Sequence, residues 1–287
     1  MKTAVMTDSN SGITKAEAEE LGIFLMPMPV IIDGAICFEG ADLTQEMFYD
    51  SLKSGKAVST SQPSPGDVLD MWDEILKMGY EDLVYIPMSS GLSNSCATAI
   101  GLSLDYDGKV QVADNHRISV TLRESVLEAR ELAQEGASAK EIKEDLEARA
   151  YDSSIYIAVD TLEFLKKGGR VTPAGAALGA VLNIKPVLTI QGERLDAFAK
   201  VRGMKKGKHK MIEGLNQDLE TRFRDADMDK VVIAAAGAGL AKEEAEEWTN
   251  ELREAFPQVK VHYNPLSFSI VCHTGPGAIG TGIVIRR

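Results

Sequence analysis

The sequence predicts an α/β protein with a parallel, helix-covered sheet in its first half and a mixed sheet in its second. Three observations carry this. From residue 3 to about residue 148, short apolar runs alternate with segments of helical spacing, the signature of strands joined by crossover helices. Near residue 154 the pattern changes, and residues 186–190 and 195–201 flank Gly192-Glu193 as an antiparallel hairpin. Apolar residues make up 44% of the 287, enough for a sizeable core. The change of pattern places a boundary that gives two units, 1–153 and 154–287, each of ordinary domain size.

The elements follow in order. Residues 3–7 read as the first strand, and Asp8-Ser9-Asn10-Ser11-Gly12 as a polar turn. Thr14 with Glu17 makes a capping box for a helix ending at Leu21-Gly22. The apolar run 23–32 contains Pro27 and Pro29 and is too short to span a bilayer. Asp33-Gly34 is a strong hairpin turn, with 35–38 as the return strand and 42–52 as a helix. Thr60-Ser61-Gln62-Pro63-Ser64-Pro65-Gly66 then reads as a rigid loop, because proline fixes φ and removes a backbone donor. Ser64 suits the N-cap of the next helix, Pro65 its first position and Asp67 its first turn. Residues 83–88 form a buried strand that ends in Ser89-Ser90-Gly91-Leu92-Ser93-Asn94-Ser95, and a helix with Ala97, Ile100 and Leu104 follows. A strand over 110–113, a helix over 120–134 and a helix capped by Ser138 and Glu141 complete the first unit.

In the second unit, 155–159 is a strand and 162–167 a short helix closed by Gly168-Gly169. Thr172-Pro173 opens a small-residue helix running to 182. Beyond the hairpin come a helix over 208–224, a strand over 231–235, a helix over 242–255 and a strand over 259–263. The tail runs Ser269-Ile270-Val271-Cys272-His273-Thr274-Gly275-Pro276-Gly277-Ala278, with His273 at a strand end beside glycines that let a ligand approach it, and leads to a last strand over 282–285.

Composition narrows the function. A net charge of −12 argues against nucleic acid or an anionic membrane as the general partner. Cys37, Cys96 and Cys272 lie far apart, which suggests neither a disulfide framework nor a zinc site and fits a reducing cytoplasm. No signal peptide, repeat or low-complexity segment is evident. His116, His209, His262 and His273 show no paired metal spacing. Gly275 to Gly280 matches GxGxxG, but a strand follows where a dinucleotide site needs a helix. Gly203 to Lys208 lacks P-loop spacing.

Two readings of the serine turn stay open. Gly91-Leu92-Ser93-Asn94-Ser95 nearly matches the G-x-S-x-G nucleophile elbow, with Ser95 in place of the last glycine, and His273 could serve as its base. Alternatively Ser93 caps the helix and helps hold an anion at its N-terminus without attacking anything. Lys200, Arg202, Lys205, Lys206, Lys208 and Lys210 form a basic stretch, either a solvated face or a docking surface for an acidic partner.

Taken together, Thr7-Asp8-Ser9, Thr60-Ser61-Gln62-Pro63-Ser64, Ser89-Ser90-Gly91-Leu92-Ser93, Lys167-Gly168-Gly169-Arg170, Leu182-Asn183-Ile184-Lys185-Pro186 and His273-Thr274-Gly275-Pro276-Gly277-Ala278 resemble, in order and spacing, the DegV family of bacterial fatty-acid-binding proteins. The resemblance implies an N-terminal Rossmann-like domain joined to a C-terminal α/β domain, with a long-chain fatty acid between them. It implies that Thr60 or Ser61, together with Ser93, binds the carboxyl group, that His273 lies close by, and that Arg170 and Arg202 serve structure or partner docking. Where the family has Gly-Thr after the serine matching Ser93, this chain has Asn94-Ser95. It further implies a carrier without a cofactor, metal or catalysis of its own, handing its ligand to an ATP-binding fatty acid kinase in the cytoplasm. The other readings are a serine hydrolase of lipid esters using Ser93 and His273, or a small-carbonyl-binding domain of the dihydroxyacetone-kinase type.

Overall fold

A computed structural model describes residues 2–178, 184–191 and 194–287. The first half runs β1 (Thr3–Asp8), α1 (Lys15–Leu21), β2 (Phe24–Met26), β3 (Pro29–Ile32), β4 (Ala35–Phe38), α2 (Gln45–Lys53), β5 (Val58–Thr60), α3 (Pro65–Lys77), β6 (Asp82–Ile86), α4 (Ser95–Ser103), β7 (Val110–Val112), α5 (Ser119–Gln134) and α6 (Ala139–Ala148). Then come β8 (Ser153–Ala158), α7 (Glu163–Gly168), α8 (Pro173–Ala176), β9 (Ile184–Ile190), β10 (Asp196–Arg202), α9 (Met204–Glu220), β11 (Val231–Gly237), α10 (Lys242–Ala255), β12 (Lys260–Pro265), α11 (Phe268–Thr274) and β13 (Ile279–Ile285).

Strands β2-β1-β6-β7 form an all-parallel sheet. All six residues of β1 are buried, as expected of a strand covered on both faces. Strands β10-β9-β8-β13-β11-β12 form a mixed sheet in which only β11 and β12 pair in parallel. A third, antiparallel sheet, β4-β3-β5, stands beside the parallel one. The α/β class and the parallel-plus-mixed arrangement are those the sequence predicts.

Local chemistry sets most boundaries. Ser64 Oγ accepts the Asp67 N–H and Pro65 opens α3. Ser138 and Glu141 form a reciprocal capping box on α6. Asp33 and Gly34, at φ 50° and 87°, make the tight left-handed turn between β3 and β4.

Four elements differ from the sequence reading. Thr60, expected in a loop, instead ends the strand 58–60, which pairs with β3. Helix α11 stands where the sequence reading put His273 at a strand end; six of its seven residues are buried, so it shows no polar face and no amphipathic period. Helix α4 presents Cys96 and Ala99 inward, while Ile100 and Leu104 are 39% and 78% exposed, the reverse of the predicted face. Helix α9 starts at Met204, four residues earlier than expected. Ser93 does not cap α4: Asn94 holds that position, and Ser93 Oγ accepts the Ser95 N–H at 3.1 Å. The predicted continuation of the small-residue helix to 182, the motif residues Leu182-Asn183 and the Gly192-Glu193 turn lie outside the described residues.

Helix α5 packs on β1 with one side and on β13 with another, and a single apolar core containing Val5, Ile86, Leu122, Ile157 and Val271 runs through both halves. Its carboxylates Glu124 and Glu128 are buried but lie among Arg149 and Arg286. Gly12 sits at another junction of the halves. It has φ 71°, and a Cβ there would stand 2.1 Å from Asn264 Nδ2, which donates to the Ser11 carbonyl at 3.2 Å. Gly12→Ala is expected to lower unfolding free energy by about 2–4 kcal/mol in urea melts, from left-handed strain plus overpacking. Gly34→Ala, at the same handedness but in open space, is expected to cost only about 1–2 kcal/mol. Equal losses in the two variants would show that the Gly12–Asn264 contact is not tight.

Candidate functional site

The loops that follow the carboxyl ends of β1, β2, β6 and β7 carry Asn10, Met28, Leu92, Ser93 and Ile118 to one place, the position at which parallel α/β sheets bind ligands. The inner face of the six-stranded sheet stands opposite, offering Ile155 and Ile157 from β8, Ile190 from β9 and Ala236 from β11. Between them is a cavity of about 410 Å³. Its walls are chiefly aliphatic, with Leu165, Leu195, Leu266 and Ile270 completing them. The volume falls in the ordinary small-ligand range.

Hydroxyls and amides gather on one part of this wall. Thr60 and Ser61 come from the end of β5, Ser93 and Asn94 from the turn after β6, Arg170 from the turn after α7 and His273 from α11. Five of the six residues singled out in the sequence thus line one cavity. Arg202 does not: it is exposed on β10, in the basic stretch. Within that stretch Lys208 is engaged, donating to Glu251 at 2.7 Å and lying over the Trp248 ring. Gln62, Asn94 and Thr98 also line the cavity, and Thr98 donates to Gln62 Oε1 at 3.2 Å. Sequence reasoning passed over these three as site residues. Gln62 and Asn94 lie inside the quoted motifs, and Thr98 one helical turn beyond Asn94, which is the signal that could have found them.

The hydrogen bonds fix how the polar groups face. Thr60 Oγ1 and His273 Nε2 are 2.9 Å apart. Among the described residues His273 Nδ1 is buried without a partner, and it lies against Gly168, where a Cβ would come within 2.3 Å of it. A buried N–H left unpaired is costlier than an unpaired ring lone pair, so the proton belongs on Nε2 and points at Thr60. Burial, with Arg170 nearby adding to it, pushes the His273 pKa down to about 4, so the ring is neutral near pH 7. The Thr60 hydroxyl, accepting from His273, is left free to donate into the cavity. Arg170 donates from Nε to the Leu92 carbonyl at 3.2 Å and from Nη1 to the Gly168 carbonyl, so it ties the serine turn to the turn after α7.

This arrangement suits holding an oxyanion rather than attacking an ester. Among the described residues no carboxylate orients His273, whose Nε2 bonds Thr60, and the Ser93 hydroxyl is engaged with the Ser95 N–H. Among the described residues, no group of three or more His, Cys, Asp or Glu side chains is placed to hold a metal ion. None of the described helices is long and apolar enough to cross a membrane.

Comparison with known proteins agrees with the geometry. Residues 2–286 match the profile described as "Uncharacterised protein, DegV family". A DegV domain-containing protein of Deinococcus radiodurans is 30% identical over 284 residues, covering 99% of this chain and 98% of that one. One from Listeria innocua is 31% identical over 281 residues, covering 97% of each. Among solved structures, a DegV family protein of Thermus thermophilus described for its fatty acid binding superposes with a TM-score of 0.88 at 29% identity, covering 99% of this chain and 100% of that one. DegV of Bacillus subtilis, described as a fatty acid binding protein, gives 0.85 at 27% identity over the full length of both chains. A match to the whole chain but two residues, with relatives aligned end to end, leaves one conclusion: this chain belongs to the DegV family.

Proposed function

We propose that this protein binds a long-chain fatty acid, with its carboxylate among the hydroxyls of Thr60, Ser61 and Ser93 and its tail along the aliphatic walls, as a carrier that performs no chemistry itself. The observation that carries this is one cavity, apolar over most of its lining, to which the motif segments bring Thr60, Ser61, Ser93, Arg170 and His273. A carboxylate leaving water needs hydrogen bonds in exchange. Hydroxyl donors and the Arg170 charge supply them without a strong base nearby. A dozen buried methylenes contribute roughly 10 kcal/mol at about 0.8 each. That exceeds the lower range of association costs, about 4 kcal/mol upward. The description of the Thermus and Bacillus proteins as fatty acid binders supports the same reading.

On this reading the chain consists of two domains meeting near residue 153, with the lipid between them. The ligand is presented to an ATP-binding fatty acid kinase in the cytoplasm, and no cofactor is needed. The exposed basic residues Lys200, Arg202, Lys205 and Lys206 are the surface we assign to that partner. A sugar- or ketone-binding site of the dihydroxyacetone-kinase type would want a polar pocket throughout, and the isoleucine-rich walls disfavour it.

Native mass spectrometry of the protein as isolated should show added mass equal to a fatty acid. Protein that carries none and cannot be loaded with octadecanoic acid after delipidation would overturn the carrier reading. Thr60→Val, which keeps volume and removes the hydroxyl, is expected to weaken octadecanoate binding roughly ten- to a hundred-fold, the range for a hydrogen bond to a charged group. Unchanged affinity in Thr60→Val and Ser93→Ala would remove these turns from the site.

The His273 assignment has its own pH signature. Its folded pKa, about 4, lies below the ordinary value of 6.5, so the unfolded chain takes up a proton that the folded chain refuses. Stability from His273 is therefore present above pH 6.5 and lost as pH falls toward 4. Asp8 and Glu39, raised by burial to about 6 and about 7, work in the opposite sense, so the test is a difference. Between pH 7 and pH 5 the unfolding free energy of wild type relative to His273→Gln should fall by about 1–2 kcal/mol. Parallel pH curves would mean that His273 titrates freely in the folded protein, and a difference that grows as the pH falls would mean that it is charged there.

A further inference from the structure

Gly280 lies inside strand β13, where a glycine weakens the sheet and marks a place that a ligand or another backbone approaches closely. In the sheet register it stands between Ile157 of β8 and Ala236 of β11, and Ile157 in turn faces Leu188 of β9. Two residues along the strand, Gly282 stands between Ile155 and Ala234, and Ile155 faces Ile190. These two rows share one face of the sheet, the face that walls the cavity. The wall is therefore stepped, with bulky side chains on β8 and β9 and small ones or none on β13 and β11.

The two glycines differ in what lies over them. At Gly282 the place of a Cβ is taken by α5, with Val120 Cγ2 at 2.7 Å and Thr121 Cγ2 at 3.1 Å, so helix packing accounts for that glycine. At Gly280 the three nearest atoms all belong to β8: the Tyr156 carbonyl oxygen at 3.3 Å and two carbons of Ile157 at 3.7 and 3.8 Å. Among the described residues, no atom of α5 or of the first half comes closer. Gly280 lines the cavity, and so does Thr281. The Thr281 side chain turns to the other face with Ile279 and Ile283, and its hydroxyl donates to the Ala234 carbonyl at 2.9 Å. The cavity thus reaches the bare backbone of β13. That backbone is spent: β13 is paired along both edges, and the Gly280 carbonyl also accepts the Trp248 indole N–H at 2.8 Å. With only aliphatic side chains in both rows, the surface at Gly280 suits hydrocarbon and offers a carboxylate nothing.

We propose that the acyl tail lies against the β13 backbone at Gly280, and that position 280, with Ala236 beside it, determines how long a tail the cavity accepts. This rests on the fatty-acid-binding reading above and adds the residue that sets its selectivity.

The test titrates saturated acids from decanoic to octadecanoic into delipidated full-length wild type, Gly280→Val and Ala236→Val. Gly280 keeps an ordinary strand backbone, which a β-branched residue suits, and the Tyr156 contact is relieved by a shift of a few tenths of an ångström. Each buried methylene strengthens binding about fourfold, so wild-type affinity should climb with chain length. An isopropyl group at position 280 takes the place of two or more methylenes of the tail. In Gly280→Val, octadecanoic acid should lose at least tenfold relative to decanoic acid. Ala236→Val fills the same recess from β11 and should move the ratio in the same direction. Both acids are compared on the same variant, so a loss of folded protein cancels, and Ala236→Val carries the test if Gly280→Val does not fold. Equal weakening at every chain length would put the carboxyl end, not the tail, at Gly280. That result, or an unchanged ratio in either folded variant, overturns the inference and leaves fatty acid binding intact. If wild type binds none of the acids, the carrier reading fails, and this inference with it.

Discussion

The hydrogen bond between Thr60 and His273 joins residues 213 apart in the chain and closes one wall of the cavity. It holds only while the helix carrying His273 stays seated against the first half, and several other contacts keep it there. Glu39 accepts the Phe268 N–H at 2.8 Å at the start of that helix. Phe48 stacks on Phe268 with ring centres 4.5 Å apart. Asn10 takes the hydroxyls of Ser267 and Ser269. A seven-residue helix has little stability of its own. Its position comes from these clamps, and the geometry of the site comes from its position.

The clamps are polar groups in a buried setting, which explains several unusual titrations. Burial pushes Asp8 up to about 6 although two backbone N–H groups, those of Met88 and Asn10, donate to it. Glu39 is raised to about 7 by burial, partly offset by the Phe268 N–H. His273 and His262 are each lowered to about 4, chiefly by burial. Each of these carboxylates accepts backbone N–H groups of a segment that lines the cavity or carries cavity residues, and these hydrogen bonds, which offset part of the desolvation cost, hold the ligand-facing loops in place. The buried charges on α5 play the corresponding role between the two sheets, with Arg149, Arg286 and Arg287 meeting Glu128.

Much of this was legible from the residues alone, and the failures have physical causes. Ser64-Pro65, Thr14-Glu17, Ser138-Glu141 and Asp33-Gly34 announce themselves because capping and tight turns are local chemistry. Thr60, Ser61, Ser93, Arg170 and His273 could be gathered into one site only through the ordered set of motifs, since no local rule brings β5, the turn after β6 and α11 together. Helix α11 was missed because burial on all sides removes the periodicity that marks a helix. The inward face of α4 was misjudged because Ala99 and Cys96 are small and pack closely, leaving larger Leu104 outside. Thr60 was expected in a loop because Pro63 and Pro65 dominate the local signal, whereas pairing with β3 is long-range. Asn10, Ser119 and Ser269 carry no sequence signal of cavity contact at all. A serine that opens a helix and an asparagine in a polar turn look like capping residues until the opposing sheet is in place.

The most direct measurement is a crystal structure of the delipidated protein reloaded with octadecanoic acid. The account predicts carboxylate oxygens within hydrogen-bond distance of Ser93 Oγ and of Thr60 or Ser61, with His273 Nε2 still bonded to Thr60 and the alkyl chain lying along Ile155 and Ile157. A carboxylate seated instead on the basic stretch around Arg202, or an alkyl chain lying on the surface with the cavity closed, would contradict it.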